Sequence, residues 1–151
     1  MTVLTVPADL KARAGELVGR PFLAKGDTPD GWDCRGLARW CLRAFCGVET
    51  PDYQERYAAV VITPCGAGDR QRLLQAGLQE QWRPVAPQAG AVAWLEWMGR
   101  AAHVGFMLSE HELIHADNRC GTALMDLRAP AAGYRLRGAF VPAFVTDIIH
   151  L

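Results

Sequence analysis

The chain has 151 residues, half of them hydrophobic and 21% charged, which suits one globular domain over residues 1–151 built round a single sizeable core. Sixteen basic residues balance sixteen acidic ones, so zero net charge excludes broad electrostatic attraction to nucleic acid or to an anionic membrane. No stretch approaches the roughly 18 apolar residues of a membrane span, and the first residues lack the basic and apolar regions of an export signal, so synthesis in the cytoplasm without a signal peptide is expected.

In chain order, residues 8–18 read as a helix, with Leu10, Ala14, Leu17 and Val18 near one face and Gly19 and Pro21 ending it. Residues 24–31 are dense in turn formers. Asp33 then sits where an N-cap precedes a helix from Cys34 to about Phe45, which Gly47 stops. Pro51, Pro64, Gly66 and Gly68 bracket an irregular middle, and residues 69–79 read as a further helix with Leu73, Leu74 and Leu78 on one side. The second half changes character. Residues 91–97, 104–108, 112–115 and 139–144 are short apolar or alternating runs separated by turn formers, the pattern of antiparallel strands. Helices first and strands second predict an α+β fold with helices packed on a small antiparallel sheet, in preference to an alternating βαβ arrangement.

Chemistry enters with Cys34 at the first turn of the second helix. Unpaired N–H groups and the helix dipole favour negative charge there, so the thiolate is expected to form more readily than that of a free cysteine, whose pKa is about 8.5. By position alone, the commoner fate of an unpaired cysteine is that of a small buried hydrophobe. Five cysteines, at 34, 41, 46, 65 and 120, form an odd set without a Cys-x-x-Cys pair, so at least one thiol is free and a reducing site of synthesis is the simpler expectation. Cys41 falls on about the same helix face as Cys34 and reads as core.

His103 heads one apolar strand and His115 lies late in the next, twelve residues on. A hairpin about the turn Ser109-Glu110-His111, inside which residue 109, the midpoint of 103 and 115, falls, would set the two rings side by side on one face. A thiol, an imidazole to take its proton and a third group to fix that imidazole's tautomer make up a nucleophilic triad. Two half-buried histidines satisfied by backbone, or a Cys/His/His zinc site, would use the same residues.

The motifs, taken together, resemble one family. Gly19-Arg20-Pro21-Phe22, Gly31-Trp32-Asp33-Cys34-Arg35-Gly36-Leu37, Pro87-Gln88-Ala89-Gly90-Ala91-Val92, His103-Val104-Gly105-Phe106 and Ile114-His115-Ala116 are similar to the NlpC/P60 cysteine peptidases over residues 8 to about 145. The resemblance implies a papain-like fold, Cys34 as nucleophile, His103 as base and His115 as the orienting residue, with no metal and no cofactor. It implies cleavage of peptidoglycan stem peptides, commonly between D-glutamate and a diamino acid, with Phe22, Asp33, Arg35 and Gly36 lying about the substrate.

The chain departs from the family pattern in three places: Phe22 stands for a usual tyrosine, Arg35 for a commoner serine, and Ala91 where Gly-Asp is typical. A phenyl ring donates no hydrogen bond, so an oxyanion would depend on a backbone N–H such as that of Cys34. Arg35 offers a fork for a substrate carboxylate, or is a solvated helix-surface charge. The compact form and the segment Phe45-Cys46-Gly47-Val48-Glu49-Thr50-Pro51-Asp52-Tyr53 are similar to versions carried in the tails of phages and phage-like particles, which implies tail or hub proteins as partners and a tail-tip location. A secreted amidase toxin and a structural tail plug with a degenerate site are the rival readings. Trp94 and Trp97 read as core, or, if exposed, as a docking surface. No role is read for Cys46, Cys65, Cys120, His111 or His150.

Overall fold

In the computed structural model the described residues are 2–50, 81–97, 99–129 and 133–151. The helix expected over residues 69–79 lies outside them.

The chain opens with a strand that hydrophobic alternation did not single out, β1 (Thr2–Val6), followed by a short helix, α1 (Leu10–Gly15). The helical periodicity of residues 8–18 outlasts the helix itself. From Glu16 to Val18, and again at Arg20, the backbone makes i to i−3 hydrogen bonds, such as Leu17 N–H to Ala14 C=O at 3.0 Å, so Leu17 still reaches the core. A small hairpin, β2 (Asp27–Thr28) and β3 (Gly31–Trp32), leads into α2 (Cys34–Cys46). Asp33 caps α2 as expected, its Oδ1 accepting the Gly36 N–H at 2.8 Å, and Gly47 ends the helix in the left-handed conformation at φ 70°.

Among the described residues seven strands follow: β4 (Trp82–Val85), β5 (Val92–Trp97), β6 (Arg100–Met107), β7 (Glu112–Asp117), β8 (Gly121–Asp126), β9 (Tyr134–Pro142) and β10 (Val145–His150). Six of them form an antiparallel sheet in the order β4-β9-β5-β6-β7-β8, while β10 runs parallel to β1 in a separate pair. The fold is therefore α+β, as the sequence pattern implies. Each of the four expected strands is present, but β4, β8 and the β1–β10 pair were not anticipated. Only Thr122 in the Thr-Ala-Leu-Met run of β8 favours a strand; the run pairs with β7 from Glu112↔Asp126 to Asp117↔Gly121. Pro84, which donates nothing to a ladder, sits in β4 at the sheet's edge.

The buried stripe of α2 comprises Cys34, Leu37, Ala38, Cys41, Leu42 and Cys46, the spacing of one helix face, and it packs on β6 and β7. Leu37, Cys41 and Leu42 have no exposed surface, nor do Leu95, Phe106 and Ile114 of the sheet. Trp94 is buried and Trp97 packs half-buried against the core, so the two do not form an exposed docking pair. Cys41 is core as expected, and Cys34, Cys41, Cys46 and Cys120 are free thiols.

Candidate active site

Cys34 is the first residue of the buried stripe, so the packing that seats α2 on β6 also carries the thiol to that strand. The backbone N–H groups of Val104 and Arg35 hydrogen-bond toward its sulfur, which sets Cys34 against the peptide next to His103. The residue is 8% exposed. Burial outweighs these N–H groups and pushes the thiol up to about 11. This reverses the expectation of an easily formed thiolate: a helix N-terminus stabilises a charge only as far as water or donors also reach it, and here water is largely excluded.

His103 and His115 meet: His103 Nε2 lies 2.9 Å from His115 Nδ1, the ring centroids are 5.1 Å apart and the planes cross at 86°. The route to this contact differs from the symmetric hairpin. The β6–β7 ladder pairs Phe106 with Ile114 and Met107 with Leu113, which centres the turn on residue 110. Continued, that register sets His115 opposite Gly105, and His103 opposite Asp117. The two imidazoles are diagonal neighbours on one face. Gly105 lies close under β7: a Cβ there would stand 2.8 Å from Leu113 Cδ1 and 3.1 Å from the Ile114 carbonyl oxygen, and in ordinary contact, 3.6 Å, with His115 Cβ.

Burial, and then the neighbouring His115, push His103 down to about 4. Burial also lowers His115, against the pull of Asp117. At neutral pH the site therefore holds a neutral thiol beside two neutral imidazoles. Among the described residues no hydrogen bond joins the thiol to His103, whose Nε2 is taken by His115; Nδ1 is the nitrogen left to serve Cys34. Such contacts are often long in a ligand-free site and close when substrate binds.

Two further residues frame the pair and were not read from sequence. The Tyr134 ring lies 5.0 Å from that of His103 and 5.5 Å from that of His115, and its hydroxyl donates to Asp117 Oδ2 at 3.3 Å. Asp117 shares the strand face of His115, two residues on, a period-2 signal that was available. A ring nitrogen of His115, a carboxylate oxygen of Asp117 and the Cys120 sulfur lie within 4.8 Å of one another, a donor set able to hold a metal ion. Each is already engaged: the Cys120 thiol donates to Asp117 Oδ1 at 3.2 Å, and burial and Asp117 raise its pKa, so a metal would have to displace that proton.

The structure gives local uses to the other residues named for the substrate. Asp33 accepts from Gly36 N–H through Oδ1 and, through Oδ2, from Lys25 N–H at 3.0 Å and Arg35 Nη2 at 3.1 Å. The Arg35 side chain is only 19% exposed, so it is not the solvated surface charge that was one of its two readings. Gly36 lets the 26–27 loop lie on α2, because a Cβ there would run into the Gly26 carbonyl oxygen. Phe22 bridges Trp32, whose indole N–H donates to Thr122 Oγ1 at 2.7 Å, tying the segment before the helix to β8.

The NlpC/P60 family model matches residues 19–139. Among solved structures, the chain is similar to the NlpC/p60 domain of the peptidoglycan hydrolase SagA at 18% identity and a TM-score of 0.42, covering 85% of this chain and 96% of that one. It is also similar to a protein of Staphylococcus aureus subsp. aureus Mu50, described as similar to lipoprotein, NLP/P60 family, at 21% identity and a TM-score of 0.50, with 94% of this chain covered. The chain spans 41% of that protein's length. No curated protein matches the chain.

Proposed function

From the premise that this chain belongs to the NlpC/P60 family, we propose that it is a cysteine peptidase hydrolysing peptidoglycan stem peptides, with Cys34 as nucleophile, His103 as base and His115 orienting that base. The observation that carries the reading is the 2.9 Å contact of His103 Nε2 with His115 Nδ1, on the strand whose next peptide N–H meets the Cys34 sulfur.

The chemistry follows from the resting charges. With the thiol at about 11 and His103 at about 4, no ion pair is stored in the free site. Proton transfer from Sγ to His103 Nδ1 accompanies attack of sulfur on the scissile carbonyl. The new oxyanion forms beside the first turn of α2, where the Cys34 N–H has no acceptor within the helix, and with Phe22 in place of a tyrosine that N–H is its donor. His103 then gives its proton to the departing amine. Water, deprotonated by His103, attacks the thioester and releases the carboxylate product, and Sγ regains its proton.

The bond is that between D-glutamate and a diamino acid, and the setting a phage-like tail tip with tail or hub proteins as neighbours. Both of these rest on the motif resemblance alone, the second on residues 45–53. Digestion of muropeptides carrying an intact tetrapeptide stem, with products weighed by mass spectrometry, tests the reading. Fragments that add one water across a stem amide support it and name the bond; well-folded protein that leaves every stem intact overturns it. Absence of the protein from purified particles overturns the tail setting separately.

A further inference from the structure

An imidazole in the third place of a triad is chemically ambiguous. If His115 carries its proton on Nδ1, it donates to His103 Nε2 and forces the His103 proton onto Nδ1, where the Cys34 proton must go. If His115 carries it on Nε2, Nδ1 accepts from His103 and the base is open. An asparagine or carboxylate would present an acceptor without such a choice; a histidine needs a further group to select its tautomer.

We propose that Asp117 is that group: a positioning residue whose carboxylate holds the His115 proton on Nε2, extending the site to Cys34, His103, His115 and Asp117. Four observations support it. Asp117 and His115 share a face of β7, and the β6–β7 register, continued past its last pair Phe106↔Ile114, would set His115 opposite Gly105 and Asp117 opposite His103. Asp117 is 9% exposed, and a carboxylate oxygen lies within 4.8 Å of a ring nitrogen of His115; His103 occupies Nδ1 and leaves Nε2 free. It is fixed in place by the N–H groups of Arg119 at 2.8 Å and Cys120 at 2.9 Å, by the Cys120 thiol and by the Tyr134 hydroxyl. It is also charged: burial would raise its pKa, but the Cys120 N–H and thiol and the Arg119 N–H outweigh burial and hold it at about 2. At this separation it acts by its field, or through one water, drawing the N–H of His115 toward itself. Arg119, whose guanidinium is 3.6 Å from Asp117 Oδ2, opposes that field from the exposed side.

The proposal deepens the peptidase reading, yet its first test does not depend on turnover. Histidine-ring ¹H–¹⁵N spectra of the full chain are recorded for the native protein, Asp117→Asn, Asp117→Glu and Tyr134→Phe. In the native protein His115 shows the Nε2–H tautomer. In Asp117→Asn it shifts to the other tautomer or a mixture, Asp117→Glu recovers it at least in part, and Tyr134→Phe, which keeps Asp117 and the packed ring, moves the same way by less. With muropeptides, Asp117→Asn lowers kcat at least about 10-fold with KM little changed, and moves the acid limb of kcat/KM to lower pH, since a negative charge beside both histidines is gone. An unchanged His115 tautomer and an unchanged acid limb in folded Asp117→Asn overturn the proposal. If Asp117→Asn does not fold, an unchanged His115 spectrum in Tyr134→Phe overturns it instead. Native protein that cleaves no stem overturns the peptidase reading, while the tautomer measurement still decides the role of Asp117.

Discussion

His103 Nε2 and His115 Nδ1 are 2.9 Å apart even though the β6–β7 register, continued from Phe106↔Ile114, sets His115 opposite Gly105, not opposite His103. The pair is diagonal, and a residue with no side chain lies beside it.

Gly105→Ala crowds β7 next to the site. Its Cβ would stand 2.8 Å from Leu113 Cδ1 and 3.1 Å from the Ile114 carbonyl oxygen, beside the His115 stem. The expected result is a stability loss of about 1–3 kcal/mol in denaturant unfolding and a fall in turnover larger than that loss explains. Native-like turnover would show that the diagonal contact is not needed.

Cys34 should behave as a neutral thiol. With burial holding it at about 11, its alkylation by iodoacetamide, followed by mass of the Cys34 peptide, should keep rising as pH passes 9. A stored thiolate–imidazolium pair would instead give a rate already level near pH 6, and that result would contradict the charge assignment.

The buried histidines make the fold acid-sensitive in a defined window. His103 falls from its ordinary 6.5 to about 4, so between these values the unfolded chain holds a proton that the folded chain lacks. Its contribution is fully present above 6.5 and is lost as pH falls toward 4, on the order of 3 kcal/mol. Urea unfolding at a series of pH values should show this slope in the native protein and a shallower one in His103→Gln.

Asp33→Ala removes the cap of α2 together with the acceptor for Lys25 N–H and Arg35. A loss of about 1–2 kcal/mol is expected, with Asp33→Asn milder because it keeps the cap. Thermal unfolding of the two variants separates them.

Much of this was legible in the chain. The cap at Asp33, the stop at Gly47 and the apolar stripe through Leu37, Cys41 and Leu42 are local signals, and local signals specify α2 from end to end. The strands of the second half follow from alternation. What sequence could not supply is long-range: β1 finds β10 across the whole chain, and β8 pairs along its length with β7. The site divides in the same way. Cys34, His103 and His115 carry motif signals, and the structure brings them to one place. The register, which makes the histidine pair diagonal and, continued from Phe106↔Ile114, sets Asp117 opposite His103, depends on a turn geometry that spacing alone does not fix. The charge state of Cys34 was read with the wrong sign because helix position was visible in the sequence and burial was not.

The most direct measurement is hydrolysis of intact tetrapeptide stems by native protein and by Cys34→Ala, prepared and assayed side by side. The account predicts stem fragments from the native protein and a rate lower by at least about 1,000-fold in Cys34→Ala. Cleavage that persists at the native rate without the thiol would contradict it.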